Sequence, residues 1–307
     1  MTTRAELALT SLQAPRRRYS EDAVRVVLLT AAFVSVATTF AIIFALLKPA
    51  VEFFTEVSPW DFFSGTTWTP LFEPAHFGVV PLLVGTLTVT FWACLVAIPA
   101  GLGTAIFLSE YARPRVRSLL KPALEVLAGI PTVVYGYFAL TFFTPFLRSV
   151  GINVEIFNVL SAGLVIGVML IPTVASLSED AMYAVPHDLR DGGYALGATR
   201  RHVATRIVVP AATSGIIASF VLAISRGIGE TMIVLIAAGQ LAQISFDPRT
   251  SVETMTTFIG ATAQGDVPTG SVEYKTIFAV GLALFAITLV MNIVSIRLVR
   301  KYREVYE

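Results

Sequence analysis

The stretch DGGYALGATRRHVATRIVVPAA, residues Asp191–Ala212, decides how this chain folds. It closes a polar segment that lies between two long apolar runs, Ile156–Leu177 and Gly215–Ala238. The segment is too polar to cross a membrane and too long for a turn, and Pro186 should divide it into two short amphipathic helices because proline interrupts a helix. Two interpretations fit it: short helices beneath a membrane bundle where a soluble partner docks, or an interfacial helix resting on lipid headgroups.

The rest of the chain is unusually apolar. Of its 307 residues, 55% are hydrophobic and 14% are charged, whereas soluble domains carry about a quarter charged residues. A helix that spans a membrane needs roughly 20 apolar residues. Six runs are long enough: Ala23–Leu47, Phe77–Phe107, Ala123–Leu147, Ile156–Leu177, Gly215–Ala238 and Thr276–Val299. We therefore predict an all-α membrane protein with six transmembrane helices, the first of which is too long for the apolar core of a signal peptide.

The basic residues that flank the runs predict the orientation. With the N-terminus inside, seventeen of the 22 Lys and Arg residues fall inside and four outside, and Arg226 lies within the fifth run. This bias predicts a multi-pass protein of the cell membrane with both termini in the cytoplasm. The predicted parts are a basic tail (1–22), the first span with an external loop (23–76), the main transmembrane domain (77–300, with the polar segment at about 178–210) and a second cytoplasmic tail (301–307).

A spaced motif in the polar segment indicates a family. Asp191, Gly192 and Gly193 are followed by Gly197 and later by Ile-Val-Val-Pro at 207–210. This pattern resembles the EAA loop of ABC importer permease subunits, with Asp for Glu, Gly-Gly for Ala-Ala and Val for Leu. The resemblance implies a type I ABC importer permease fold whose loop couples to a separate ATPase. The coupling residues it implies are Asp191, Gly192, Gly193, Gly197, Ala198, Pro186 and Arg200.

Three further stretches narrow the resemblance: residues 81–112, VLAGIPTVVYGYFAL (Val126–Leu140) and RGIGETMIV (Arg226–Val234). They are similar to the permeases of phosphate importers, and the external PWDFFSGTTWTP resembles the PstC-type more than the PstA-type subunit. The resemblance implies half of a path for inorganic phosphate, paired with a second homologous permease, a dimer of ATP-binding subunits and an external phosphate-binding protein. A permease for another oxyanion, such as sulfate or molybdate, and the sister PstA-type permease are the alternatives.

Arg226 and Glu230 place opposite charges four residues apart in the fifth apolar run. On a continuous helix they would share one face, and at membrane depth that face must point into the bundle. One interpretation is an ion pair that serves packing alone. The other is a translocation site in which Arg226 binds oxyanion oxygens, Glu230 pairs with it when no anion is present, and Ser225 and Thr231 add hydroxyl donors.

The two external loops give further expectations. Trp60, Phe62, Phe63 and Trp68 would lie in the headgroup belt or form a platform for an external partner. The second loop, Gln240–Tyr274, is polar with Gly and Pro and should be mostly irregular. Within the spans, Gly163 and Gly167 form a G-x-x-x-G packing seam.

Several classes of function are excluded or disfavoured. The chain has no G-x-x-x-x-G-K-[ST] phosphate loop, so we expect another chain to hydrolyse ATP. A single cysteine, Cys94, and three scattered histidines, His76, His187 and His202, predict no metal site, and we expect no cofactor and no catalytic residue. The net charge of +1 gives no reason to expect nucleic acid. A membrane-embedded hydrolase would need a buried nucleophile and base, and a passive anion channel would have no use for a docking loop.

Arg190, Arg200 and Arg201 are candidates for contact with the ATPase or with anionic lipid.

Overall fold

The computed structural model describes residues 19–301. Its helices are α1 (Tyr19–Glu56), α2 (Pro59–Ser64), α3 (Val80–Tyr111), α4 (Pro114–Gly129), α5 (Thr132–Ser149), α6 (Val159–Tyr183), α7 (His187–Ala195), α8 (Arg200–Ala211), α9 (Thr213–Ile228), α10 (Met232–Ala237), α11 (Met255–Ala263) and α12 (Val272–Lys301). Two short strands, β1 (Trp68–Thr69) and β2 (His76–Phe77), pair antiparallel between α2 and α3. Most of the predicted tails, 1–18 and 302–307, lies outside the described residues, and residues 19–22 already belong to α1.

The chain divides into two compact units, residues 1–48 and 49–307. The first unit contains the N-terminal part of α1, and the second contains every other element named above. All contacts described below lie within the second unit.

Four helices are long and apolar enough to cross a membrane unaided: Glu21–Glu56 of α1, α3, α6 and Val272–Arg297 of α12. Two further crossings are bent pairs, α4 with α5 at 85° and α8 with α9 at 72°. The predicted number of six spans is reached if each bent pair counts as one crossing, and the fifth such crossing begins before the predicted run Gly215–Ala238.

The bend between α4 and α5 has a local cause in the sequence. Gly129 ends α4, and Ile130 is extended (φ −65°, ψ 129°) because it precedes Pro131, which disfavours helical backbone in the residue before it. Pro131 lies immediately before the first turn of α5. The Tyr135 hydroxyl donates to the Leu127 carbonyl at 2.7 Å and ties α5 to α4 across the bend.

The centre of the bundle is the long contact between α3 and α6. A Cβ atom on Gly163 would lie 2.7 Å from Cβ of Trp92, and one on Gly167 would lie 2.7 Å from the Ala93 carbonyl oxygen. Only glycine lets the two helices approach this closely. The predicted packing seam at Gly163 and Gly167 is confirmed.

An aromatic cluster covers the end of the bundle that carries β1 and β2. Phe53, Phe62 and Trp68 are buried in it, and Trp68 packs edge to face on Phe258 of α11 at 4.9 Å. The headgroup-belt interpretation is therefore wrong for Phe62 and Trp68, because these rings pack on one another rather than on the outer surface. Trp60 and Phe63 are exposed.

The segment 240–274 is more ordered than predicted. Its first part is irregular, but Met255–Ala263 forms α11, and Met255, Thr256, Thr257 and Phe258 of that helix are buried. Thr254 starts the helix by accepting a hydrogen bond from the Thr257 amide at 3.1 Å. The prediction of a mostly irregular loop missed this buried helix, because hydroxyl-rich helices resemble loops in composition.

Candidate functional site

The fifth apolar run is broken at the motif that carries its charges. Helix α9 ends at Ile228 and α10 begins at Met232, so Gly229, Glu230 and Thr231 lie between two helices. Gly227 and Gly229 weaken helix propensity there by about 1 kcal/mol each relative to alanine. In addition, the Glu230 carbonyl accepts a hydrogen bond from the Thr256 hydroxyl at 2.7 Å instead of continuing a helical ladder.

Arg226 lies in the last turn of α9, and its side chain is exposed on this chain. Its Nη1 donates to the Thr173 hydroxyl of α6 at 3.1 Å. Thr173 is near the middle of the 25-residue helix α6, about 20 Å from its start at 1.5 Å per residue. Arg226 therefore lies on the surface of this chain at mid-depth along the bundle, far from either end of α6.

Glu230 is buried, with 8% of its surface exposed. Its Oε1 accepts a weak hydrogen bond from the Ile233 amide at 3.4 Å, next to the start of α10. No ion pair within 4.0 Å joins Glu230 to Arg226 in the part of the chain that the structure describes. The predicted helical pair is wrong, because the helix ends between the two residues and turns their side chains apart.

The two hydroxyls of the motif differ in their surroundings. Thr231 Oγ1 donates to the Gly229 carbonyl at 3.2 Å and stabilises the turn of the break. Ser225 Oγ is buried and has no hydrogen-bond partner among the described residues. Thr256, which holds the Glu230 carbonyl, was missed by the sequence analysis. The Thr254-x-x-Thr257 spacing of an N-terminal helix cap was the available signal.

Helix α5 forms a wall directly against this break. A Cβ atom on Gly136 would lie 3.1 Å from Cα of Ile233 and 3.1 Å from the Met232 carbonyl oxygen of α10. The bend at Pro131 and the break at Gly229–Thr231 thus belong to two neighbouring elements. The break directly follows α9, the helix that bears Arg226.

The polar segment forms α7 and α8, and its division at Pro186 is confirmed, since α6 ends at Tyr183 and α7 begins at His187. Gly197 (φ +78°) closes α7, with its amide on the Tyr194 carbonyl at 2.9 Å and the next amide on the Gly193 carbonyl at 3.1 Å. This is a Schellman cap, and its left-handed residue favours glycine.

The predicted coupling residues do not share one environment. Pro186, Asp191, Gly192, Gly197 and Arg200 are exposed, and Ala198 is half-buried. Gly193 is buried against α8, where a Cβ atom would meet Ile207 at 2.6 Å. Gly193 therefore packs α7 on α8, while the others lie on the surface together with Leu196, which is 90% exposed.

Arg190 points inward, so its assignment as an ATPase or lipid contact is wrong. It is buried, and its Nη2 donates to the buried Glu110 carboxylate at 3.1 Å and to the Met182 carbonyl at 2.8 Å. Its Nη1 donates to the Val185 carbonyl at 2.6 Å. One guanidinium thus fastens α7 to the ends of α3 and α6. Arg200 stays outside, with its guanidinium 5.3 Å from the Tyr111 ring.

A second buried acid was missed by the sequence analysis. Glu179 of α6 is fully buried and forms ion pairs with Arg117 and, at 2.9 Å, with Lys121 of α4. These contacts hold α4, which buries none of its side chains, against α6. Among the described residues, no group of three or more His, Cys, Asp or Glu side chains could hold a metal ion.

Known proteins place this arrangement in a family. The model of the binding-protein-dependent transport system inner membrane component matches residues 97–304. The probable ABC transporter permease protein YqgH of Bacillus subtilis (strain 168) is 35% identical over 286 residues, which cover 92% of this chain and 91% of that protein. The phosphate transport system permease protein PstC of Mesorhizobium japonicum is 30% identical over 319 residues, which cover 93% and 95%.

A solved structure agrees with the fold. The crystal structure of a bacterial alginate ABC transporter, in complex with an alginate pentasaccharide-bound periplasmic protein, contains a chain that superposes with a TM-score of 0.63 at 17% identity. The match covers 93% of this chain and 98% of that one. The family match includes both the broken fifth run and the polar segment. The chain belongs to the binding-protein-dependent transport system inner membrane components and is a permease subunit of an ABC importer.

Proposed function

We propose that this chain forms half of the translocation path of an ATP-driven importer of inorganic phosphate. The PstC relative supports phosphate as the substrate, because it is a phosphate transport permease whose alignment covers 93% of this chain and 95% of that protein. The observation that carries the proposal is Arg226, an exposed guanidinium at mid-depth beside a helix break. An exposed positive charge at this depth can pair with a small oxyanion that crosses the membrane.

The Arg226 side chain requires a covering surface. An arginine that faces hydrocarbon at the centre of a bilayer costs at least about 2.5–3.5 kcal/mol. We infer that its exposed face lies against a second permease subunit, with water between the two. The chain then contributes one wall of a passage, which agrees with a path formed by two homologous permeases.

Arg226 also has donors to spare. A guanidinium carries five N–H donors, and among the described residues one hydrogen bond, to Thr173, is formed. The remaining donors match two oxygens of a phosphate in a fork. Ser225, whose hydroxyl has no partner among the described residues, is the proposed additional donor of the path, whereas the Thr231 hydroxyl donates to the Gly229 carbonyl. A single cation with one hydroxyl binds weakly enough to release the ion.

Glu230 takes a different role in this proposal from the one the sequence indicated. Its carboxylate is directed to the start of α10 and its carbonyl to Thr256. We infer that Glu230 positions the break, and thereby the end of α9 that bears Arg226. It contributes negative charge near the path without neutralising the arginine directly.

The exposed surface of α7 is the proposed contact with a separate ATPase. Leu196, Asp191 and Gly192 are available on this surface. Arg190 joins α7 to Glu110 of α3 and to the end of α6, so movement of α7 would be passed to both central helices. This arrangement suits rigid-body rocking of two permease halves with both chain termini on the ATPase side.

Uptake by the complete transporter tests the substrate. Vesicles that contain both permeases, the ATPase and the phosphate-binding protein should accumulate labelled phosphate when ATP is supplied. A hundredfold excess of sulfate or molybdate should leave the initial rate unchanged. Suppression of phosphate uptake by sulfate or molybdate, together with uptake of that competing ion, would assign the transporter to another oxyanion.

A further inference from the structure

A pocket of about 580 Å³ opens at the end of the bundle that carries β1 and β2, which is the predicted outer end. Residues 68–72, residues 240–242, and α11 with the residues that follow it line this pocket. Leu71, Phe72 and Leu241 are exposed there, at 51%, 71% and 53%. Trp68 and Phe258 line its buried side. The rim of the pocket therefore combines these apolar side chains with the exposed Gln240 and Asp266, and its depth is aromatic.

Glu253 places an unpartnered carboxyl group in this pocket. Its residue is 8% exposed, and its side chain forms no hydrogen bond or ion pair within the described part of the chain. The backbone is firmly held, because its amide donates to the Leu241 carbonyl at 2.9 Å and Gly85 of α3 packs directly against its carbonyl oxygen. Burial raises the pKa of Glu253 to about 7.

The charge of the pocket selects its ligand. Asp266, which is exposed, is the other ionisable residue among those that line it, and Lys, Arg and His are absent from that set. A buried carboxylate becomes favourable when a cation pairs with it. Aromatic faces attract cations further, and an apolar rim suits the aliphatic stem of a long basic side chain. A free metal ion would leave that rim in water.

We propose that this pocket receives a lysine or arginine side chain presented by the external substrate-binding protein, with Glu253 as its counter-charge. The inference rests on the proposed function, because it assumes that the importer works with such a protein. Thr256, three residues from Glu253, holds the Glu230 carbonyl at the helix break. A side chain bound in the pocket would therefore affect the position of α11 and, through Thr256, the backbone at the candidate translocation site.

Equilibrium binding to the complete transporter tests the proposal. The phosphate-loaded binding protein is titrated against transporter in lipid nanodiscs at pH 8 and at pH 6. Glu253→Gln, which keeps the shape of the side chain, should raise Kd at pH 8 about tenfold or more. The wild type should bind more weakly at pH 6, where Glu253 is protonated, and the variant should lose this pH dependence. Glu73→Gln changes an exposed acid outside the pocket and should leave Kd unchanged.

A charge exchange identifies the partner group. Glu253→Lys should abolish docking, and a glutamate in place of one exposed Lys or Arg of the binding protein should restore it. An unchanged Kd for Glu253→Gln, or failure of every such exchange, would overturn the inference. Phosphate uptake by wild-type vesicles is measured in parallel. Normal uptake with an unchanged Kd refutes only the pocket, whereas absence of phosphate uptake by the wild type refutes the proposed function.

Discussion

Glu253→Gln should stabilise the protein, and the gain should depend on pH. The wild-type carboxyl is buried without a partner, which raises its pKa from 4.5 to about 7. A carboxyl with a raised pKa binds its proton more tightly in the folded state than in the unfolded state. Its contribution to stability is therefore present below about pH 4.5 and is lost as the pH rises towards 7. Glutamine does not ionise and should escape this loss.

The size of the effect follows from the pKa. Moving it from 4.5 to about 7 corresponds to a loss of about 3 kcal/mol once the carboxyl is ionised. For a chain of this size, that loss lowers the melting temperature by roughly 6–12 °C. Local opening of the pocket to water would reduce this value but not reverse its sign.

The assay compares apparent melting temperatures of the detergent-purified protein at pH 5 and pH 8. The variant should melt roughly 6–12 °C above the wild type at pH 8 but only about 2–3 °C above it at pH 5. Glu73→Gln should show no such difference, because Glu73 is exposed. An equal effect of Glu253→Gln at both pH values, or a loss of stability at pH 8, would refute the reasoning.

Three further substitutions test the packing and the link to the site. Glu179→Gln should cost roughly 2 kcal/mol, because it leaves Arg117 without a carboxylate and Lys121 with Asp180 alone, measured by thermal melting. Asp180→Asn, which changes a largely exposed acid, should cost less than about 1 kcal/mol. Gly167→Ala should cost about 1–3 kcal/mol at the α3–α6 contact, whereas Gly103→Ala has open space and should cost nothing in the same assay. Thr256→Val should slow uptake severalfold at equal membrane abundance, because it frees the carbonyl at the helix break; an unchanged rate would separate α11 from transport.

Much of the architecture could be predicted from the sequence because its causes are local. The apolar runs indicate helices that span a membrane, and Pro131 indicates a bend between two helices. The spacing of Gly163 and Gly167 indicates close packing of α6 on α3. The division of the polar segment at Pro186 belongs to the same class, since proline acts on its immediate neighbours. Each of these features needs only a few adjacent residues to explain it.

The features that the sequence analysis missed depend on distant partners. The break after Ile228 is completed by the hydroxyl of Thr256, and Arg190 turns inward to reach Glu110, eighty residues earlier. The burial of Glu253 depends on α3 and on residues 240–242. Hydrophobic periodicity carries no information on such contacts, so a helical ion pair and a surface arginine were reasonable but incorrect expectations.

The most direct test of the central claim is the uptake of labelled phosphate by vesicles in which Arg226 is replaced by glutamine. If Arg226 carries the fixed positive charge of the path, uptake at equal membrane abundance should fall at least a hundredfold, about 2.7 kcal/mol in the transport barrier. Arg249→Gln, which changes an exposed arginine paired with Asp247 on the segment after α10, should transport normally. Phosphate uptake by Arg226→Gln at the wild-type rate would contradict the account.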